Sequence, residues 1–249
     1  MERFSRIRSF IGEEGFAILQ DSAITIVGIG AVGGHVAEGL ARAGIGRLRL
    51  VDFDIIQPSN INRQIMALET TLGQPKVAAA QARIAAINPR CQVEALQLFA
   101  DDASMEQILT PAPHILIDAI DSMNPKVQLL TAAHGRGISI ISSMGAALRS
   151  DPTQVRMGDL MDTRNCPLAK RLRQRIRRVG IERGISCVYS TEAVNWHYDE
   201  LEETPNPDAP APCADRGRKR RALGSLPTLT GIFGLVIANA VILQLTGKS

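Results

Sequence analysis

Apolar positions along this chain fall into short runs of Ile, Val and Leu, separated by longer stretches with helical periodicity. That alternation predicts a mostly parallel α/β sheet with helices on both faces. Residues 1–23 set Phe4, Ile7, Phe10 and Ile11 at helical spacing among Arg3, Arg6 and Arg8, so an amphipathic arm precedes the first strand. The run from Ile24 is one strand, the run ending at Asp52 is a second, and a helical pattern through Leu40 joins them. "IIQPSNINRQ" at 55–64 is polar and carries Pro58, which makes it a loop. Gly73 breaks the next segment, and Pro75 suits the first turn of a helix running through the Ala-rich "KVAAAQARIAAINP" to Pro89. Then follow a strand in "CQVEALQLF", a short helix over 101–109, and a buried strand in "HILIDAID" that ends near Asp118 and Asp121. A helix in "NPKVQLLTAAHGRG" and a strand in "ISIISSMGAA" close a core spanning 24–150.

From Asp151 the pattern changes, and residues 151–249 read as an extension of that core. "TQVRMGDLMD" suits an antiparallel strand, and "SCVYSTEAV" is another strand candidate. Between them, "PLAKRLRQRIRRVG" is a basic helix with Leu168, Leu172 and Ile176 on one side. Residues 202–221 hold Pro205, Pro207, Pro210, Pro212 and the run "RGRKRR" without periodicity, which predicts a flexible loop. The final segment "LPTLTGIFGLVIANAVILQL" is long enough to span a membrane. Its Thr228, Thr230, Asn239 and Gln244, with Gly231 and Gly234, favour a buried helix packed closely on the sheet.

The glycine turn between the first strand and helix carries the candidate chemistry. Gly28 permits a tight turn, Gly30 lets backbone approach a ligand, and Gly33 lets the helix sit close to the strand. A helix N-terminus at that point offers amide donors to phosphate, and Asp52 stands where a carboxylate accepts from a ribose hydroxyl. Asn60, Arg63, Lys76 and Asp121 stand on loops and strand ends around this turn. Hydride transfer needs little cationic charge beyond the pyrophosphate turn, whereas adenylyl transfer needs Arg or Lys on the phosphates and a carboxylate for magnesium.

Composition narrows the field. A chain of 249 residues with 45% hydrophobic content can bury a sizeable core, and the formal charge of +3 matters only where it is concentrated. It is concentrated at Lys170, Arg171, Arg173, Arg175, Arg177 and Arg178, and again at Arg216, Arg218, Lys219, Arg220 and Arg221. Such patches suit a phosphate backbone, with Arg173, Arg177, Lys219 and Arg220 as candidate nucleic-acid contacts; two solvated surfaces are the plain alternative. Cys91, Cys166, Cys187 and Cys213 are widely separated and form no CxxC pair, so no structural zinc is expected. The N-terminus lacks a secretory pattern, and a cytoplasmic protein is the expectation.

The strings "RFSR" at 3–6, "VGIGAVG" at 27–33, "DFD" at 52–54, "SNINRQ" at 59–64, "GQPK" at 73–76 and "DAID" at 118–121 occur in order. Together they resemble the ubiquitin-activating-enzyme-like adenylating enzymes, which include the bacterial thiamine and molybdenum-cofactor sulfur-carrier activators. The resemblance implies one Rossmann-like adenylating domain over 1–249, which binds ATP and Mg2+ and assembles as a homodimer. It implies Gly30 beside ATP, Asp52 at the ribose, Asn60 and Arg63 around phosphates and substrate carboxylate, Lys76 at phosphate and Asp121 at magnesium. Arg6 would reach the ATP of the other subunit. The paired CxxC motifs of the sulfur-carrier activators are absent. "GDLMDTRNCPLAKRLRQRIRR", "CVYSTEAV" and "GSLPTLTGIFGLVIANAV" look instead like the branch that cyclises threonylcarbamoyladenosine at position 37 of tRNA. Activation of a small carrier protein is the alternative, and a cysteine desulfurase or sulfur acceptor is a partner implied by the family. Cys187 is the position where some relatives would hold a thioester; beside Ile185 and Val188 it reads as a buried thiol.

Overall fold

In the computed structural model, which describes residues 2–194 and 223–248, the apolar runs become seven strands. They are β1 (Ala23–Val27), β2 (Arg47–Val51), β3 (Gln92–Leu96), β4 (Ile115–Asp118), β5 (Ser139–Ser143), β6 (Val155–Asp159) and β7 (Ser186–Ser190). They pair in the order β3-β2-β1-β4-β5-β7-β6, all parallel except β6 on β7. Strand order reverses between β1 and β4, and in open α/β sheets ligands bind outside the carboxyl ends of strands at such a point.

The helices divide between two apolar layers. On one lie α1 (Ser5–Asp21), α2 (Gly33–Ala43), α3 (Lys76–Ile87) and α7 (Pro227–Thr246), contributing Phe16, Leu19, Leu40, Ile84 and Phe233 to one core. On the other lie α4 (Met105–Leu109), α5 (Met123–Gly135) and α6 (Pro167–Arg178), whose Ile108, Leu129, Leu172 and Ile176 build the second. Most of β4 and β5 is buried on both faces, which explains why their sequences read as continuous apolar runs rather than alternations.

Differences from the sequence expectation are local. The arm is helical, but Gly12 (φ +80°) interrupts it, and the phase shift leaves Phe10 65% exposed while Phe4 and Ile11 are buried. The helix expected over 101–109 starts only at Met105, because Ser104 Oγ donates to the Phe99 carbonyl and accepts from the Asp101 amide in a turn. The loop at 202–221 lies outside the described residues.

Helix α7 packs chiefly on α2, and also on α1 and the ends of β5 and β7. Small residues permit the contact: a Cβ on Gly234 would lie 2.6 Å from the Val32 carbonyl oxygen, and one on Gly39 2.9 Å from the Ala238 Cβ. The helix buries Leu229, Phe233, Ile237 and Val241, while Leu235 on the other side is 53% exposed. By length and a mean hydropathy of 1.9, α7 could also cross a bilayer. Gly234→Val should force α7 from α2 and lower stability by about 1–3 kcal/mol, as overpacking does. Thermal unfolding by circular dichroism measures this; an unchanged midpoint would show that the two helices are not in tight register.

Candidate active site

The crevice is built on three glycines with unequal constraints. Gly28 has φ +94°, donates its N–H to the Val51 carbonyl at 2.8 Å, and has the Ala119 carbonyl oxygen 2.7 Å from where a Cβ would sit. A Cβ on Gly33 would fall 1.8 Å from the Gly28 carbonyl oxygen, so helix and strand meet without a side chain between them. Gly30 differs: its nearest neighbour is the Gln64 Nε2, 3.9 Å from the Cβ position. Packing dictates the first and third glycines, and open space lies before the second. Helix α2 begins there with no side-chain cap and no acidic residue in its first turn. The Gly34 N–H donates to the Gly30 carbonyl at 3.0 Å, and with no side-chain carboxylate in the first turn the partial positive charge of the helix end is left to favour an anion.

Asp52 closes one wall. Its Oδ2 accepts from the Ile29 amide at 2.7 Å and its Oδ1 from the Asp54 amide at 2.9 Å, joining the glycine turn to the end of β2. Burial pushes this carboxyl above its ordinary value, Lys76 pulls it back, and Asp54 adds to the rise. Lys76 is buried at the first position of α3, where the helix dipole disfavours a cation. Its Nζ donates to Asp54 Oδ2 at 2.7 Å. Burial would lower its pKa, but Asp52, Asp54 and Asp121 outweigh that and hold it above the ordinary lysine value. Lys76 and Asp54 meet because loop 55–75 folds back on itself: Ile56 N–H donates to the Gln74 carbonyl, Gly73 N–H to that of Ile56, and Lys76 N–H to that of Asp54.

That loop carries three further polar groups. Asn60 is buried, and its Oδ1 accepts from the Gln57 amide at 3.0 Å, closing a short turn. Arg63 is half-buried and held by the Ser59 carbonyl at 2.9 Å and by Asn62 Oδ1 at 3.0 Å. Gln64, which the sequence reading left without a role, is buried with its amide directed to Gly30. The string "NINRQ" was the available signal.

At the end of β4 two aspartates part company. Asp121 is exposed at the rim, within electrostatic reach of Lys76. Asp118, expected beside it, instead lies fully buried beneath the crevice, paired with Lys126 at 2.7 Å and accepting from Ser142 Oγ at 2.6 Å. Side chains alternate across a strand, but here a turn intervenes and a buried cation claims the first carboxylate.

The basic helix is used unevenly. Arg173 donates to the Thr163 carbonyl at 3.0 Å and to its hydroxyl, and Arg175 donates to Asn124 Oδ1, whereas Lys170, Arg177 and Arg178 are exposed. Lys219 and Arg220 lie outside the described residues. Arg6 is exposed on α1. Cys187 is buried on β7, and burial, with a smaller push from Cys166, raises its thiol to about 12, so it stays protonated at neutral pH.

A doubly covered, mostly parallel sheet with a glycine turn, a buried carboxylate and a buried lysine near the switch point defines a Rossmann-like fold of the adenylating type. The chain belongs to the ThiF family, whose model matches residues 4–249. Within it the chain is closely related to the tRNA threonylcarbamoyladenosine dehydratases. The Bacillus subtilis protein of that name is 42% identical over 193 residues, covering 78% of this chain and 76% of its own. The Escherichia coli K12 protein is 32% identical over 260 residues, covering 100% of this chain and 95% of its own. A crystal structure of the Escherichia coli enzyme in complex with ATP superposes with a TM-score of 0.85 at 32% identity, covering 99% of this chain and 95% of that one.

Substitution separates the glycines. Gly30→Ala should fold with an unchanged thermal midpoint and bind ATP at least tenfold more weakly, while Gly33→Ala should fail to fold. Calorimetric titration with ATP and circular dichroism read the two effects; wild-type ATP affinity in Gly30→Ala would refute the cradle.

Proposed function

We propose that this chain is an ATP-dependent tRNA threonylcarbamoyladenosine dehydratase, a single adenylating unit in which 24–150 holds the nucleotide and 151–249 faces the substrate. One observation carries the reading: an open glycine cradle beside Asp52, Lys76 and Asp121, in a chain that matches enzymes of this activity over nearly its whole length. The carboxylate of N6-threonylcarbamoyladenosine at position 37 attacks the α-phosphorus of ATP and releases pyrophosphate. The carbamoyl nitrogen then attacks the activated carbonyl, loses its proton, expels AMP and closes a five-membered ring, a step favoured by intramolecular proximity.

The chain's residues divide this work. Asp52 accepts from the ribose, the first amides of α2 with Gly28, Gly30 and Gly33 cradle phosphate, and Asn60 positions the loop that presents Arg63. Lys76 and Arg63 neutralise charge on the departing pyrophosphate. Asp121 is the residue to hold Mg2+, which when bound would screen the phosphate oxygens. One carboxylate suffices where the nucleotide supplies the other oxygens, and among the described residues no group of three or more His, Cys, Asp or Glu gathers for a metal. No structural zinc and no protein nucleophile enter; the raised Cys187 thiol fits that economy. Purified enzyme, ATP and magnesium should remove one water from threonylcarbamoyladenosine in tRNA, read by nucleoside mass spectrometry. Cys187→Ser should retain this activity and folded Asp121→Ala should lose it. ATP–pyrophosphate exchange without dehydration would favour a carrier-protein substrate.

The tRNA contacts proposed are Lys170, Arg177 and Arg178 on α6, with Lys219 and Arg220 of the basic run at 216–221. Arg173, bonded to Thr163, supports that face from below. The active form proposed is a homodimer in the cytoplasm, with Arg6 serving the partner's ATP and the exposed side of α7 free to touch a membrane. A cysteine desulfurase or sulfur-acceptor partner is supported only by family resemblance. Mixing Arg6→Ala and Asp121→Ala chains should restore part of the activity through hybrid sites. No restoration, with subunit exchange verified by sedimentation of labelled chains, would count against the shared site.

A further inference from the structure

Beneath the crevice lies a lysine that none of these steps uses. Lys126, in the first turn of α5, is fully buried. Its Nζ donates to Asp118 Oδ2 at 2.7 Å, to the Ile120 carbonyl at 2.9 Å and to the Ser143 carbonyl at 2.9 Å. An ammonium has three protons, so its bonding is complete. Asp118 in turn accepts from Ser142 Oγ at 2.6 Å and from the Ile120 amide at 3.1 Å. The pair therefore grips Ile120 at both its N–H and its C=O, and the next residue is Asp121. The preceding carbonyl, of Ala119, presses against Gly28. Residues 119–121 belong to no helix or strand; the Ala119 N–H donates to the Val27 carbonyl at 2.8 Å, and the Lys126–Asp118 pair is what holds Ile120, the residue before Asp121.

A buried ion pair is a weak source of net stability, because apolar side chains of similar shape often serve as well. Its place here matters more than its strength: it joins the ends of β4 and β5 and holds the residue before Asp121, which is within electrostatic reach of Lys76. We infer that Lys126, acting with Asp118, is a positioning residue that sets Asp121 relative to Lys76 for metal-assisted phosphate chemistry; this rests on the reading of Asp121 as the magnesium-holding carboxylate.

Lys126→Met alone strands a buried carboxylate and can unfold the chain, so the paired variant Asp118→Asn/Lys126→Met carries the test. A non-hydrolysable ATP analogue is titrated calorimetrically into the full chain, with and without magnesium, beside thermal unfolding. The paired variant should fold, bind the metal-free analogue within twofold of wild type, and lose at least tenfold of the affinity gained from magnesium. The same pair of substitutions should change nothing further in an Asp121→Ala background. A paired variant that keeps the wild-type magnesium gain overturns the inference, and one that cannot fold makes the pair a structural staple and overturns it too. Wild-type protein showing no magnesium gain removes the role of Asp121 itself, and the inference falls with it.

Discussion

A carbonyl oxygen standing where a side chain would be governs this structure. The Gly28 carbonyl lies 1.8 Å from the position of a Gly33 Cβ, so α2 starts flush against β1. Three consequences follow from that contact. The amino end of α2 opens into the crevice at the strand-order reversal; the Ile29 amide comes within 2.7 Å of Asp52; and the far side of α2 is free to receive α7 at Gly234. Any side chain at position 33 would push helix from strand and disperse all three.

Charge in the crevice is organised by two buried lysines, one on each side of the β1–β4 junction. Lys76 sits among Asp52, Asp54 and Asp121, and Lys126 sits on Asp118 with two carbonyls completing its shell. Each is desolvated, and each is tolerable only because its acceptors are in place. They differ in access. Lys76 is held among carboxylates that include the exposed Asp121, whereas Lys126 is sealed and can act only through the groups it holds. A site that must gather a polyanion benefits from cations whose counter-charges are already fixed, since little reorganisation remains when the ligand arrives.

The apolar C-terminal helix illustrates how one composition serves two environments. A helix hydrophobic all round belongs either in a bilayer or in a core. Here one side is taken by α2 and α1 through small residues, and the other keeps Leu235 exposed. Its glycines give the packed side a shape that length and hydropathy do not reveal.

The sequence by itself determined the order and type of nearly every element, because alternating apolar runs and helical spacing are local properties of the chain. It also marked Gly28, Gly30, Gly33 and Asp52 as candidates through the glycine spacing and the acidic strand end, and Asn60, Arg63, Lys76 and Asp121 as candidates from their places on loops and strand ends, to which the family resemblance gave roles. It assigned the three glycines separate roles in turn, ligand approach and close packing, but which backbone atoms enforce them, the Ala119 carbonyl at Gly28 and the Gly28 carbonyl at Gly33, was decided by the fold. It set Asp118 beside Asp121 at the crevice, and only the fold showed Lys126 and Ser142 drawing Asp118 beneath it, through contacts spanning 8 and 24 residues. It counted Arg173 with the exposed cations of α6, while the turn at Thr163 had already claimed it. Charge and hydrophobicity are written residue by residue, but which partner neutralises a charge is decided when distant segments meet, and so the tertiary structure alone assigned the buried pairs.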